Sequence, residues 1–451
     1  MRKLFGTDGV RGIANIELTP ELAFKLGQAG SFVLAQQREG TRPRIIVGKD
    51  TRISGDMLEG ALIAGICSMG ADALKVGVIP TPAVANLTGK YKATCGIVIS
   101  ASHNPVEDNG IKFFGAGGFK LPDEVEAEIE HLITSEAEIT WRPRGIDVGR
   151  TYEVKEAQNN YLEYLCSCLE QPRGWRKMTV VLDCANGAAY ESGPQLWRQM
   201  GVRLITINDQ PNGININKDC GSTYPGALKN AVMEYNADIG IAYDGDADRC
   251  IVIDEEGNEL DGDHILLICA RDMKNRGGLT PAKIVATVMS NIGLNIALAR
   301  DHIAVESCSV GDRYVVEKMK ETKALLGGEQ SGHIIFRQHA NTGDGLLTSL
   351  KIAEVMQRTD RPLSELAREL VKQPQLLVNV RINPAEKDVI MEQPLVKAAI
   401  QEAEQRLGSW GKLVVRPSGT EPLFRIMAQG PDQGLLEELI RNIKNSLEKG
   451  R

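Results

Sequence analysis

No run of about 18 apolar residues occurs in this 451-residue sequence, so nothing in it reads as a membrane span. The opening residues, Met1 to Gly9, lack the apolar centre of a secretory leader. The nine cysteines are odd in number, scattered, and contain no C-x-x-C pair. That excludes a regular disulfide framework and fits small apolar residues in a reduced, cytoplasmic protein. A net charge of −7 argues against nucleic acid or an anionic membrane as the main partner. It leaves room for an anionic small ligand, because local arginines can outweigh the global balance. The chain has no G-x-S-x-G serine elbow, and the glycines at 115, 117 and 118 lack the Gly-Lys-Ser/Thr ending of a P-loop.

What is present is an ordinary globular composition, 42% hydrophobic and 25% charged, with 46 glycines spread along the chain. The length suggests about three domains. Three segments repeat one strand–loop–helix–strand pattern. The first has strands at Arg44–Gly48 and Ala73–Val78 around a helix at Asp56–Met69. The second opens at Thr179–Asp183, with a helix near Pro194–Met200 and a strand over 202–207. The third opens at Lys283–Thr287, with a helix around Leu294–Ala299 and a strand at 303–305. Short apolar strands alternating with helices belong in covered sheets. The last part has strands at 375–382, 412–416 and 423–428, with helices at 394–407 and 435–447, as in a small α+β domain. We therefore expect an α/β protein of three similar mixed-sheet domains (1–150, 151–254, 255–371) and a C-terminal α+β domain (372–451).

Four loops carry candidate chemistry. An apolar strand, Gly96–Ile99, ends in Ser100-Ala101-Ser102-His103-Asn104-Pro105, which lifts the Ser102 hydroxyl from the edge of a rigid sheet. His103 is a sequence neighbour, and in an extended chain it points the other way, so a Ser–His acyl-transfer pair is not expected. Asp244-Gly245-Asp246-Ala247-Asp248-Arg249 lies between two strands and offers three carboxylates two residues apart, which converge on one point if the loop is extended. An EF-hand calcium loop is the rival, since Glu255 falls at position twelve; against it, position six is Arg249 and the flanks are strands. A solvated acidic turn is the other. Gly328-Glu329-Gln330-Ser331-Gly332-His333 places Glu329 and Ser331 where both can face a cavity. Arg416-Pro417-Ser418-Gly419-Thr420 offers a guanidinium, two hydroxyls and backbone N–H groups suited to a phosphate dianion, and Arg425 can add a second charge. Each loop alone also reads as turn chemistry.

Taken together and in this order, the four loops resemble the α-D-phosphohexomutase superfamily, and the resemblance covers essentially the whole chain. The opening Phe5-Gly6-Thr7-Asp8-Gly9-Val10-Arg11-Gly12 resembles that family's N-terminal active-site segment. Together with Gln330 and Val310-Gly311-Asp312-Arg313-Tyr314, it is most similar to the branch that interconverts glucosamine 6-phosphate and glucosamine 1-phosphate. The resemblance implies one deep cleft between four domains, a phosphorylated Ser102, and one Mg²⁺ per subunit on Asp244, Asp246, Asp248 and the Ser102 phosphoryl group. It further implies a hexose bisphosphate primer and a sugar phosphate as partner, without nucleic acid or membrane, in a monomer or homodimer. Arg11, His103, Lys112, Arg249 and His333 are its catalytic candidates. Glu329, Ser331, Arg416, Ser418, Gly419, Thr420 and Arg425 are its substrate-binding ones. Activity on mannose or glucose phosphates, a metal-dependent sugar phosphatase and a sugar-phosphate binding protein are the alternatives.

Overall fold

The computed structural model describes residues 4–6, 8–35, 42–135, 139–170, 174, 175, 177–381, 387–417 and 423–449. Four sheets follow one another along the chain. The first contains β1 (Val10–Ile13), β2 (Arg44–Lys49), β3 (Asp72–Val78), β4 (Cys95–Ile99), β5 (Asp108–Gly115) and β6 (Thr151–Glu153), in the order β1-β5-β4-β2-β3-β6. The second contains β7 (Thr179–Asp183), β8 (Arg203–Ile207), β9 (Ile239–Tyr243), β10 (Cys250–Asp254) and β11 (Glu259–Leu260), in the order β11-β10-β9-β7-β8. The third contains β12 (Lys283–Thr287), β13 (Ala304–Cys308), β14 (Leu326–Gly328) and β15 (Ile334–Phe336), in the order β13-β12-β14-β15. The last joins β16 (Gln375–Arg381), β17 (Lys412–Pro417) and β18 (Leu423–Gln429) as an antiparallel sheet, β16-β18-β17.

The α/β class with mixed sheets is the architecture expected from the repeats. In each of the first three units a parallel core ends in one antiparallel hairpin: β4–β5, β9–β10 and β14–β15. All residues of β4, β9 and β10 are buried, as apolar strands covered on both faces require. The helices form where the apolar pattern placed them, at Ser54–Ser68, Ser192–Met200, Ile292–Arg300, Pro394–Leu407 and Gln433–Lys449. β4 lies inside its sheet, so Ser102 departs from the C-terminal end of an interior strand, not from a sheet edge. The first sheet takes its last strand from beyond residue 150, and the second takes its last from beyond residue 254. Neither edge strand carried a recognisable apolar pattern.

One apolar core runs through the first three units, from Val84 and Leu87 through Leu182 and Trp197 to Leu266 and Leu350. Each fully buried leucine of this kind contributes about 1.5–3 kcal/mol. The fourth unit has its own core of Phe424, Ile426, Leu436 and Ile443. It meets the third through polar groups, with the buried Gln429 Oε1 accepting from Ile292 N at 2.7 Å. Among the described residues no helix is long and apolar enough to cross a membrane.

Candidate active site

Three of the four candidate loops occupy equivalent places in the fold. The serine loop joins β4 to β5, the aspartate loop joins β9 to β10, and the Glu329 loop joins β14 to β15. Each lies beyond the C-terminal end of a sheet strand, where ligands of open α/β sheets collect.

Ser102 adopts a left-handed conformation, φ +54°, which a side chain other than glycine takes only when its surroundings impose it. This turns the hydroxyl towards the second unit, and Oγ lies 2.5 Å from Asp244 Oδ2. The residue is 1% exposed, so the hydroxyl is buried between two domains and is not a solvent-facing loop tip. The same backbone turn brings His103 Nδ1 within 3.3 Å of Oγ, where an extended chain would have separated them. Gly245 permits the approach: a Cβ there would stand 2.5 Å from the Ser102 carbonyl oxygen.

Asp244, Asp246 and Asp248 present carboxylate oxygens within 4.8 Å of one another, all buried. They converge through a turn in which Ala247 has φ +56°, not through extended alternation. Asp246 Oδ1 and Asp248 Oδ1 have no hydrogen-bond partner among the described residues. Burial, with repulsion from Asp248 and Asp246, pushes the Asp244 carboxyl well above the ordinary range. Buried oxygens without hydrogen bonds, on mutually repelling carboxylates, fit a hard cation with oxygen ligands. The cluster contains neither His nor Cys, which disfavours zinc.

Cations frame this cluster. Lys112 Nζ lies 2.7 Å from Asp246 Oδ2 and 3.0 Å from Asp8 Oδ2. Burial opposes its charge, but the two carboxylates hold its pKa above the ordinary ammonium value. Thr81 Oγ1 donates to the same Asp246 oxygen at 2.8 Å. Arg249 is likewise kept charged against burial by Asp248 and Asp244. Burial and then the neighbouring Arg249 and Arg11 push His103 down to about 4, leaving its ring neutral near pH 7. His333 Nδ1 lies 3.5 Å from Asp248 Oδ2. Burial opposes protonation of His333, whereas Asp248 draws its pKa up to about 9. Against that pull, Gly343 N donates to His333 Nε2 at 2.9 Å and occupies the lone pair a second proton needs. A backbone N–H held in place cannot turn away, so the ring carries its proton on Nδ1, towards Asp248.

A cavity of about 930 Å³ opens beside these groups, lined among others by Arg11, His103, Arg249, Glu329, Ser331 and Arg425. Glu329 Oε1 accepts from Gly311 N at 3.1 Å. Gly332, at φ +91°, lets this loop lie against β10: its carbonyl accepts from Cys250 N at 3.0 Å, and a Cβ would strike the Cys250 oxygen at 2.2 Å. Arg416 pairs with Arg425 across β17 and β18. Ser418, Gly419 and Thr420 lie outside the described residues.

Sequence reasoning left several residues of this site out of its candidates, although Asp8 and Asp312 lie in segments it had singled out. Asp8 binds Arg11, Lys112 and Lys120, and Lys120 reaches Asp312 Oδ2 at 2.7 Å, so one ion-pair chain ties the first unit to the third. Asp312 also lines the cavity. Lys112, Lys120 and Arg11 hold the Asp8 carboxyl well below its usual range against the upward push of burial. Asp50, Arg52 and Asn217 hold the serine loop from behind. Alternating charges in Phe5–Gly12 and in Lys49-Asp50-Thr51-Arg52 were the available signals, and neither names a partner.

The chain matches the phosphoglucomutase/phosphomannomutase alpha/beta/alpha domains I, II and III over residues 2–140, 159–257 and 261–373, and the C-terminal domain over 377–446. It is 67% identical over 451 residues to the phosphoglucosamine mutase of Syntrophomonas wolfei, covering 100% of both chains. Its fold is similar to that of a phosphoglucomutase/phosphomannomutase family protein from Burkholderia thailandensis, with a TM-score of 0.81 at 22% identity over 100% of this chain and 98% of that one. It is also similar to Aspergillus fumigatus N-acetylphosphoglucosamine mutase in complex with GlcNAc-6P and magnesium, with a TM-score of 0.71 at 18% identity over 99% and 96% of the two chains. With full-length relatives at such identity, and with all four domain families in order, the chain belongs to the phosphoglucosamine mutases, isomerases of the phosphoglucomutase/phosphomannomutase group.

Proposed function

We propose that this chain interconverts glucosamine 6-phosphate and glucosamine 1-phosphate through a phosphorylated Ser102 and a glucosamine 1,6-bisphosphate intermediate. The observation that carries this reading is the Ser102 hydroxyl, buried 2.5 Å from Asp244 at the meeting of three carboxylates. A phosphoryl carrier needs its oxygen beside a cation site and screened from water.

In the first half-reaction the bond between phosphorus and Ser102 Oγ breaks, while a free hydroxyl oxygen of the bound sugar phosphate bonds to that phosphorus. The hydroxyl proton leaves to a base in the cleft, and Ser102 regains a proton. The bisphosphate then turns end for end, and its other phosphoryl group returns to Ser102 by the reverse chemistry. A cavity of about 930 Å³ gives a hexose bisphosphate room to bind in either orientation. Lys112 is the group we assign to proton handling, and His333, whose Nε2 accepts from Gly343 N and whose Nδ1 faces Asp248, orients that carboxylate. The ion pairs of Lys112 keep it charged beside the aspartate cluster. Arg11, His103 and Arg249 surround the phosphoryl position. Arg416 and Arg425, with Ser418, Gly419 and Thr420, hold the phosphate that is not reacting, and Glu329 and Ser331 hold sugar hydroxyls.

Asp244, Asp246 and Asp248 form an all-oxygen set that would hold one Mg²⁺ per chain, and the ion would supply positive charge to offset that on the transferring group. The deciding experiment is a coupled assay of both isomers, primed with glucosamine 1,6-bisphosphate, on the native chain and on Ser102→Ala. The native chain should lose turnover with chelator, recover it with magnesium, and carry a phosphoryl adduct of about 80 Da on Ser102. Full turnover by Ser102→Ala, or release of inorganic phosphate in place of isomer, would refute the reading. Glucose and mannose phosphates assayed alongside measure how strictly the amine is selected.

A further inference from the structure

The Ser102 carbonyl is tied down by side chains outside its own loop, and its N–H by a hydroxyl within the loop that is itself anchored outside it. Its N–H donates to Ser100 Oγ at 2.9 Å, and that hydroxyl donates to Asp50 Oδ2 at 2.6 Å. Its carbonyl accepts from Arg52 NH2 at 3.0 Å and from Asn217 Nδ2 at 2.8 Å. The same two side chains hold the carbonyl of Asn104, at 2.8 Å and 3.1 Å. Arg52 also donates to the carbonyl of Pro105. Asp50, Arg52 and Asn217 are all buried, and Asp50 Oδ2 receives Arg52 Nε at 2.9 Å.

Asp50 and Arg52 follow β2 in the first unit, whereas Asn217 belongs to the second. Within the same segment, Thr51 Oγ1 donates to Asn186 O at 2.6 Å, and Ile53 N donates to Gly213 O at 2.9 Å. The segment from Asp50 to Ile53 thus alternates between the serine loop and the second unit. Asn217 closes the arrangement from the opposite side.

We propose that Arg52 and Asn217 are positioning residues for phosphoryl transfer, acting together to hold Ser102 in its left-handed conformation and so set its distance from Asp244. The inference rests on Ser102 as the phosphoryl carrier. Without the two donors, the Ser102 carbonyl is free to swing, and the backbone relaxes towards the extended region that a serine prefers. Oγ then turns away from the aspartates while the cavity that binds the sugar stays as it was. The defect should therefore appear in the transfer step and leave substrate binding intact.

The test compares Asn217→Ala, Arg52→Lys and Ser102→Ala with the native chain. Arg52→Lys keeps a charge for Asp50 but replaces a fork of donors by a single ammonium, so it separates the carbonyl clamp from the ion pair. The readouts are kcat and KM for glucosamine 6-phosphate, and the single-turnover rate at which glucose 1,6-bisphosphate phosphorylates Ser102. Both clamp variants should lose about 10- to 100-fold in kcat and in phosphorylation rate together, the loss expected of a reacting group displaced by an ångström. KM should stay within about twofold. Native phosphorylation rates in the folded variants, or a loss confined to KM, would overturn the proposal. Should Asn217→Ala not fold, Arg52→Lys decides by the same two criteria. If Ser102→Ala keeps its turnover, the carrier assignment falls and the clamp with it. If Ser102→Ala is inactive while the clamp variants phosphorylate normally, only the clamp falls.

Discussion

Arg416 and Arg425 stand directly opposite each other on β17 and β18, two like charges paired across an antiparallel ladder. Side chains directly opposite on a ladder share one face of the sheet. Arg425 lines the cleft, so the pair brings two guanidinium groups to the side where a phosphate dianion would bind. Arg416→Ala should weaken binding of both isomers by about 2–3 kcal/mol, the worth of a charge-assisted fork. Titration calorimetry with each isomer checks this. Loss of affinity for one isomer alone would contradict a shared phosphate pocket.

Lys112 and Asp246 form a buried pair, 3% and 1% exposed at their side chains. Asp246→Ala strands the ammonium with Asp8 as its remaining carboxylate partner, at 3.0 Å. Stranding a buried charge without compensation costs about 3–5 kcal/mol; with Asp8 still beside Lys112 and one of three repelling carboxylates gone, the loss should fall below that range. Adding Lys112→Met should restore part of that stability but none of the activity. Denaturant melts of the two single variants and the double variant give the coupling.

Asp344 caps the helix Gly345–Thr359, accepts from Leu347 N and receives the Tyr161 hydroxyl at 2.9 Å. Burial raises its carboxyl to about 6 from an ordinary 3.8. The folded chain therefore holds this proton more tightly than the unfolded chain. Its contribution to stability falls as pH rises from 3.8 to about 6 and is constant above that. Asp344→Asn keeps the cap and removes the titration. Relative to the native chain it should gain about 3 kcal/mol across that window. Parallel melts at each end of the window measure the difference, and a constant offset would rule out the assignment.

Glu329 reaches the cavity with one oxygen bound to the Gly311 amide. Glu329→Gln preserves shape and removes the charge that hydroxyl or ammonium donors favour. Catalytic efficiency should fall about ten- to a hundredfold. Phosphorylation of Ser102 should survive, because the loop belongs to another unit. Equal losses with glucosamine and glucose phosphates would mean that the loop reads hydroxyls and that the amine is read elsewhere.

The sequence alone determined what local rules determine. The apolar runs that became β7, β10 and β12 and the helix Pro394–Leu407 form where periodicity placed them, because each is set by residues within a few positions. The three aspartates were legible for the same reason. What only the tertiary structure decided is how distant loops meet. The positive φ of Ser102 turned its hydroxyl to Asp244, 142 residues away. An extended-chain reading of His103 failed for that same φ. Asp8, Lys120 and Asp312 became one chain of ion pairs because the β5 end and the third unit face each other across the cleft. Pairing between charges so far apart leaves no mark in either local pattern; the energy that selects it exists only when both loops share one low-dielectric cleft.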